Sequence, residues 1–547
     1  MSEIVQTDVL VIGGGGAGAR AAVEASEYRV GVAIANKGVI AETGCTAVST
    51  RMCTNRQGFG VRADPETYAV DIIRNGLGMN DPRLARILTY EARERVEDLT
   101  RFGLEFEPDT FIIKGKGAGK PIVTVLKEEM MRQGVDIREN VMVIDLLTNR
   151  GNVVGAIGLN MKTLDTVIFE AKSTVLATGG TGGLYIHNVN TPCITGDGYA
   201  MAYRAGAELV NMEFIRMGEV TLSPVKGLLF RYDLWRLKPK IYNAAQEEFV
   251  KKYIPPEVDL DTAFELRSTR YYFTTANESR YINIALYKEI AEGRGTENGG
   301  VYVDFTDIPE EVIREKASQG YEFMLSRGVD ICQTPVEIAP ATHHFYGGLR
   351  IDDKTQTTLP GLFAAGEVVG NVHGADRIGG TALVETQVFG ARAGKYAAIR
   401  ALSKTTLGID QRQVQEIYGR VLFRGSGEIR PRALKERVQR IAWHGAHIVR
   451  NGEGLRQAIL EFEEARKALQ EADVNEEGII DAHVTKNLIE VGEMVARAAL
   501  LRRETRAVHY RKDYPQLDNE NWLKVITFKR VAGQMTWKAR PPTEAYF

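Results

Sequence analysis

Thr7-Asp-Val-Leu-Val-Ile-Gly-Gly-Gly-Gly-Ala-Gly18 decides the reading of this chain. An apolar run from Thr7 to Ile12 stops on glycines. An Ala-rich stretch follows, Ala19 to Ser26, and a second apolar run spans Val30 to Ala35. The order is strand, glycine turn, helix, strand, the context that a G-x-G-x-x-G spacing needs before it points to a dinucleotide. Each glycine has a physical task. Gly13 permits the tight turn, Gly15 lets the backbone approach a pyrophosphate, and Gly18 lets the helix lie close to the strand. Free N–H groups at the helix start face the anion, so Gly16 and Ala17 belong to the same loop. The second strand of such a site usually ends on an acidic residue that binds a ribose hydroxyl. Asn36 stands there, followed by Lys37, and asparagine can still hydrogen-bond a ribose.

At 547 residues the chain exceeds a single hydrophobic core, so two to four domains are expected. Lys plus Arg number 69 against 71 Asp plus Glu, a net charge of -2 that argues against a nucleic-acid partner or a polybasic membrane surface. The four cysteines are Cys45, Cys53, Cys193 and Cys332, with no C-x-x-C pair. The chain by itself therefore supplies neither an iron–sulfur cluster nor a cysteine zinc site, and no metal is expected. Met-Ser-Glu runs directly into a strand, without the basic start and apolar run of a signal peptide. No apolar stretch reaches about 18 residues. A cytoplasmic protein is expected, one that meets a membrane only through partner subunits.

Further along, Asp81-Pro82 starts a helix as N-cap and first helical residue, with Leu84, Ile87, Leu88, Ala92, Val96 and Leu99 on its apolar face. A second helix spans about Ile122 to Gln133. From Asn140 to Thr178 short β-branched runs alternate with turns such as Asn149-Arg-Gly151, a meander returning at Val175-Leu-Ala-Thr-Gly-Gly180. Residues 226–340 are less regular and richer in aromatic and charged residues. Strand-and-glycine style then resumes with Gly347-Gly348, Gly361-Leu-Phe-Ala-Ala-Gly-Glu367 and a helix from about Gly380. Residues 406–505 are helical and amphipathic, as in Leu455, Ile459, Phe462 and Ala465, and the last forty read as irregular.

Taken in order, these motifs resemble the flavoprotein subunits of the fumarate reductase/succinate dehydrogenase family, whose relatives include L-aspartate oxidase and adenylylsulfate reductase flavoproteins. The resemblance is carried by the glycine loop, Ala177-Thr-Gly-Gly180, Thr195-Gly-Asp-Gly198, Ala205-Gly-Ala-Glu-Leu209 and Met212-Glu-Phe214. It continues through Glu292-Gly-Arg-Gly295, His343 before Gly347-Gly348, Gly366-Glu367, His373-Gly-Ala-Asp-Arg377, and the closing Glu504-Thr-Arg506 and His509-Tyr-Arg-Lys-Asp513. It implies an α/β fold: a Rossmann-like FAD-binding domain in two parts (1–225 and 341–405), an inserted α+β capping domain (226–340), a helical domain (406–505) and a C-terminal extension (506–547). It also implies that FAD lies against Gly13, Gly15, Gly16, Ala17, Gly18, Asn36, Lys37, Gly44, Cys45, Thr46, Ala177, Thr178, Gly179, Gly180, Asp197, Gly366, Glu367, Arg377, Thr381, Ala382 and Leu383.

The family moves a hydride between flavin and a carbon beside a carboxylate while an arginine handles the proton. Guanidinium and imidazole donors suit such an acid, and His343 and Arg377 match the substrate-anion positions. Other positions depart. Gly218 stands where the family has a histidine, and the stretch Lys226 to Tyr242 is basic and aromatic. Counting thirteen back from Glu292 reaches Ser279, with Arg280 beside it as the candidate proton carrier. Cys45, between Gly44 and Thr46, stands where membrane-bound relatives attach FAD through histidine, so noncovalent FAD is expected. The resemblance implies a small-molecule carboxylate substrate other than plain succinate or fumarate and a separate iron–sulfur electron-transfer partner. A stand-alone oxidase like L-aspartate oxidase, a non-catalytic FAD electron carrier and an adenylylsulfate-reductase-like subunit are the alternatives.

Overall fold

The computed structural model describes residues 3–49, 52, 64–106, 113, 118–269, 272–421 and 427–546, so Cys53 lies outside the described residues. The opening motif folds as β1 (Glu3–Ile12), α1 (Gly16–Ser26) and β2 (Val32–Asn36). β1 and β2 are parallel, with Val9 beside Val32 and Ile12 beside Ala35. The end of β1 and all of β2 are buried. Near-continuous apolar runs mark strands covered on both faces.

β3 (Asp136–Glu139) pairs parallel to β2. The meander forms β4 (Val141–Asn149), β5 (Asn152–Asn160) and β6 (Thr166–Leu176), and β6 returns parallel to β1 with Leu176 beside Ile12. The strand order β3-β2-β1-β6-β5-β4 therefore sets Ala177-Thr178 against the glycine turn. Helix Thr381–Ser403 crosses α1 closely, because a Cβ on Gly394 would come within 2.2 Å of the Ala21 carbonyl oxygen.

The short β7 (Leu209–Val210) leads to the cap, an antiparallel sheet of β8 (Ile215–Ser223), β9 (Lys240–Tyr242), β10 (Val301–Asp304) and β11 (Val336–Phe345) in the order β8-β11-β10-β9. Phe230, Trp235, Phe264, Phe305 and Ile338 give the cap an apolar core of its own. β8 starts before, and β11 ends after, the compositional junctions near 225 and 340. The cap is thus rooted by two long strands whose near ends reach the nucleotide domain. β12 (Gly348–Leu349) pairs with β7, and β13 (Leu362–Ala364) joins the main sheet beside β6.

Helices Gln411–Val421, Pro431–Ala446, Gly452–Glu471 and Ile479–Leu501 form the helical region. The final segment departs from its irregular reading. Val525–Val531 and Gln534–Arg540 make a hairpin that pairs onto β7. Its outer strand is largely exposed, so it lacks the apolar alternation that announces a strand. Among the described residues no helix is long and apolar enough to cross a membrane.

Candidate active site

A cavity of about 790 Å³ runs from the glycine turn to the cap residues Arg231, Tyr232, Gln319, Phe323 and Arg327. At its nucleotide end Gly13 has φ +104°, and a Cβ there would lie 2.3 Å from the Ala177 carbonyl oxygen. Gly18 is behind the cavity wall, where a Cβ would fall 1.7 Å from the Gly13 carbonyl oxygen. Gly15 differs. A Cβ there meets nothing closer than Thr46 Oγ1 at 3.7 Å, so its only neighbour of consequence is the cavity. The N-cap of α1 is Gly15, which has no side chain of its own to cap the helix. The Gly16 N–H donates to Thr46 Oγ1 at 3.1 Å. A helix start on bare glycine backbone is a seat for a pyrophosphate.

Asn36 braces this loop: its carboxamide oxygen accepts the Gly14 N–H at 2.9 Å and its amide donates to the Gly38 carbonyl at 2.8 Å. The Lys37 ammonium donates to Thr195 Oγ1 at 2.6 Å and Asp197 at 3.0 Å, and Asn487 fixes Asp197 from the helical region at 2.9 Å. Gly44, Cys45, Thr46, Ala177, Thr178, Gly179, Gly366, Ala382 and Leu383 also line the cavity, whereas Gly180 and Thr381 stand behind it. Gly180 makes room for Glu367, whose Oε1 would be 2.1 Å from a Cβ. Glu367 accepts the Phe345 N–H at 2.9 Å and faces His344 Nδ1 at 3.2 Å. Burial raises its carboxyl to about 7, against the opposing Phe345 hydrogen bond and the Arg377 charge.

The other half of the cavity is cationic. β8 and β11 pair with Arg216 opposite His344. Arg216 donates to Asp376 at 2.7 Å and to the Arg377 carbonyl, and its guanidinium lies 4.4 Å from the Tyr272 ring centre. Burial opposes its charge, but Tyr346, Asp376 and Tyr272 hold its pKa above the usual value. Arg377 has no ion pair among the described residues; it donates weakly to the Ile378 carbonyl at 3.3 Å and Thr381 Oγ1 at 3.4 Å. Burial, and then the Arg216 charge, depress its pKa. His343 is neutral for the same reasons, burial first and then Arg216 and Arg377, and its Nε2 sits 2.9 Å from the Tyr272 hydroxyl. Arg377 Nε, Arg216 Nε and Nη1, and His343 Nδ1 are buried without a hydrogen-bond partner among the described residues. Arg377 lines the cavity with Arg216 behind it, and each guanidinium acts against the protonation of His343.

The model of an FAD binding domain matches residues 8–383, and that of a fumarate reductase flavoprotein C-terminus matches residues 435–544. The chain is 36% identical to one subunit of the fumarate reductase (CoM/CoB) of Methanothermobacter marburgensis, over 97% of this chain and 98% of that one. It is 34% identical to an uncharacterized FAD-dependent oxidoreductase of Methanocaldococcus jannaschii, covering 97% of each chain. Among solved structures, Mycobacterium smegmatis Sdh1 in complex with UQ1 superposes with a TM-score of 0.87 at 27% identity, over 98% of this chain and 95% of that one. The chain belongs to the fumarate reductase/succinate dehydrogenase flavoprotein family.

This flavoprotein is an FAD-dependent oxidoreductase, and the site fits the cofactor. The helix start and Gly15 suit the pyrophosphate, and the wall from Gly44 to Thr46 and from Ala177 to Gly179 is open to the rest of the molecule. The substrate half is distributed otherwise than the family motifs suggest. Arg280, at the start of helix Arg280–Glu289, donates to the Thr275 carbonyl at 2.9 Å and to the Tyr281 hydroxyl at 3.1 Å, and is not part of the cavity wall. His343 and Arg377 do line it, together with Tyr272, and Arg216 stands immediately behind. The motifs did not single out Arg216 or Tyr272. The available signal was a lone arginine inside the otherwise apolar start of β8.

Proposed function

We propose that this flavoprotein transfers a hydride between noncovalently bound FAD and a carbon–carbon bond beside a carboxylate, exchanging electrons with a separate iron–sulfur protein. One observation supports the reading: Arg377 lines the cavity beside His343, and its Nε, like Nε and Nη1 of Arg216 behind the wall, is buried without a hydrogen-bond partner among the described residues. Those donors suit a carboxylate, which guanidinium binds through parallel hydrogen bonds. Bound FAD, seated on Gly13 to Ala17 with Lys37, Asp197 and Glu367 around it, supplies the two-electron chemistry. The chain's own residues anchor the acid, turn its reacting carbon and, through the cap, exclude water. The relative named as a fumarate reductase supports chemistry of this class.

The substrate is larger than a four-carbon dicarboxylate. Gly218 supplies no second anion donor, and the cavity continues beyond Arg377 to the cap wall. There Phe323 carries the Arg231 and Arg327 guanidiniums at 5.9 and 5.8 Å from its ring centre. A second acidic or polar end is met by these cations. The checking measurement is bleaching of the oxidised flavin absorbance by a panel of mono- and dicarboxylates and their thioesters. Longer acids with a second polar end should bleach best. Succinate as the best donor would overturn the substrate assignment, and silence across the panel would overturn the reaction.

The partner follows from electron accounting. The chain has four cysteines and no C-x-x-C pair, and the Methanothermobacter relative is itself named as one subunit of its enzyme. Noncovalent attachment is supported by Cys45, whose thiol donates to Asn190 Oδ1 at 2.9 Å and is kept neutral by burial, then by the Glu367 charge and Cys193. Acid precipitation of the holoprotein should leave all yellow colour in the supernatant, in the wild type and in Cys45→Ser alike. Colour that stays with the pellet would mean a covalent bond.

A further inference from the structure

The reaction needs a proton at one carbon as well as a hydride at the other, and Arg280, the motif's candidate for moving it, is engaged away from the cavity. Tyr272 faces the cavity instead. It lines the same cavity as Arg377 and the cap residues, and its hydroxyl lies 2.9 Å from His343 Nε2. Its ring centre lies 4.3 Å from that of His343, the planes tilted by 37°, and 4.4 Å from the Arg216 guanidinium. We propose that Tyr272 is the general acid and base of this site, giving the proton to the reacting carbon in reduction and taking it in oxidation, with His343 as its positioning residue. The proposal rests on the hydride-transfer reading above.

A general acid must reach the carbon, carry a proton, leave behind a tolerable anion and be reloaded. Tyr272 meets each condition. It shares the cavity wall with Arg377, so an acid anchored there has its neighbouring carbons within the space the phenol faces. Burial favours the protonated phenol, the loaded form, and the charges of Arg216, Arg377, Arg267 and Arg231 work the other way, steadying the phenolate once the proton has gone. When His343 carries its hydrogen on Nε2, it donates to the phenol oxygen and does not itself take up the phenolic hydrogen. The same N–H then holds the phenolate.

Reduction of a C=C bond adds a hydride, with its electron pair, at one carbon, which FAD in its reduced form would supply when bound. The π pair forms the second C–H bond with the Tyr272 proton, and the phenolic O–H bond breaks. The phenolate regains a proton from solvent past His343. Oxidation runs the same path backwards. This gives His343 a different task from the one its motif suggests. It orients Tyr272, while Arg377, with Arg216 behind it, holds the acid.

The test uses the full-length holoprotein and the best acid from the flavin-bleaching panel. Tyr272→Phe should lower kcat by about 10²- to 10⁴-fold, the usual worth of a positioned proton donor. FAD content, and calorimetric binding of an unreactive saturated acid, should stay within about threefold of wild type, as expected when binding is untouched. Arg280→Gln should keep kcat within about the same threefold margin. His343→Asn should reduce kcat with acid binding preserved. Near-wild-type turnover by Tyr272→Phe, or an equal loss in Arg280→Gln, would overturn the proposal. So would a His343→Asn protein that binds the acid poorly but turns it over at the normal rate. A wild type that reacts with no acid would instead sink the reaction itself, a result separable from an active Tyr272→Phe.

Discussion

Arg377→Ala is expected to lower kcat/KM by about 10²- to 10³-fold while the protein keeps its FAD. Truncating one partner of a buried hydrogen-bonded charge pair costs roughly 2–5 kcal/mol, and each 1.4 kcal/mol is a factor of ten. Arg377 is the guanidinium with no ion pair within contact distance among the described residues, so an acid is the partner that would complete it. Lysine should rescue little, because one ammonium cannot reproduce the planar two-point fork. The same residue is a burden in the empty site. Burial and the adjacent Arg216 both act against its charge. The alanine protein without substrate should therefore melt at or above the wild-type temperature, even as turnover collapses. A variant that loses stability in step with activity would mean that Arg377 holds the fold rather than the acid. Flavin bleaching and thermal melting on the same preparations separate the two.

The parts of the molecule that were legible in sequence are those whose signals are local. The glycine turn, the meander from Asn140, and the helix opening at Asp81 were readable because turn chemistry and capping act within a few residues. Asp81 indeed accepts the Arg83 N–H at 3.0 Å. The cationic half of the cavity was not legible in this way. It is assembled by strand register, which sets Arg216 opposite His344, and by a loop that drops Tyr272 onto His343. Neither juxtaposition leaves a spacing in the chain. Asn36 lines the cavity as its position in the motif suggests, and its carboxamide in addition braces the loop backbone, a task the motif does not announce.

Gly15 and Gly18 belong to one motif, yet alanine at the two positions is expected to fail in opposite ways. At Gly18 the new Cβ would lie 1.7 Å from the Gly13 carbonyl oxygen and 3.3 Å from the Ala177 Cβ. Neither obstacle is the loose end of a side chain, so α1 must lift from β1 or the turn must break. Overpacking of a tight core typically costs 1–3 kcal/mol, and a backbone clash of this depth should reach about 3 kcal/mol or more. Gly18→Ala protein should be poorly soluble or melt many degrees lower, with or without FAD. At Gly15 the nearest atom is 3.7 Å away and the residue sits at φ -72°, which alanine accepts. The apoprotein of Gly15→Ala should therefore melt as the wild type does. Its methyl group, however, occupies the surface that the pyrophosphate must touch, and FAD affinity should fall by about a hundredfold, the equivalent of roughly 2.7 kcal/mol. Fluorescence titration of apoprotein with FAD, set beside melting curves without it, distinguishes the two failures. Unimpaired FAD binding by Gly15→Ala would remove the phosphate from this turn, whatever the fate of Gly18→Ala.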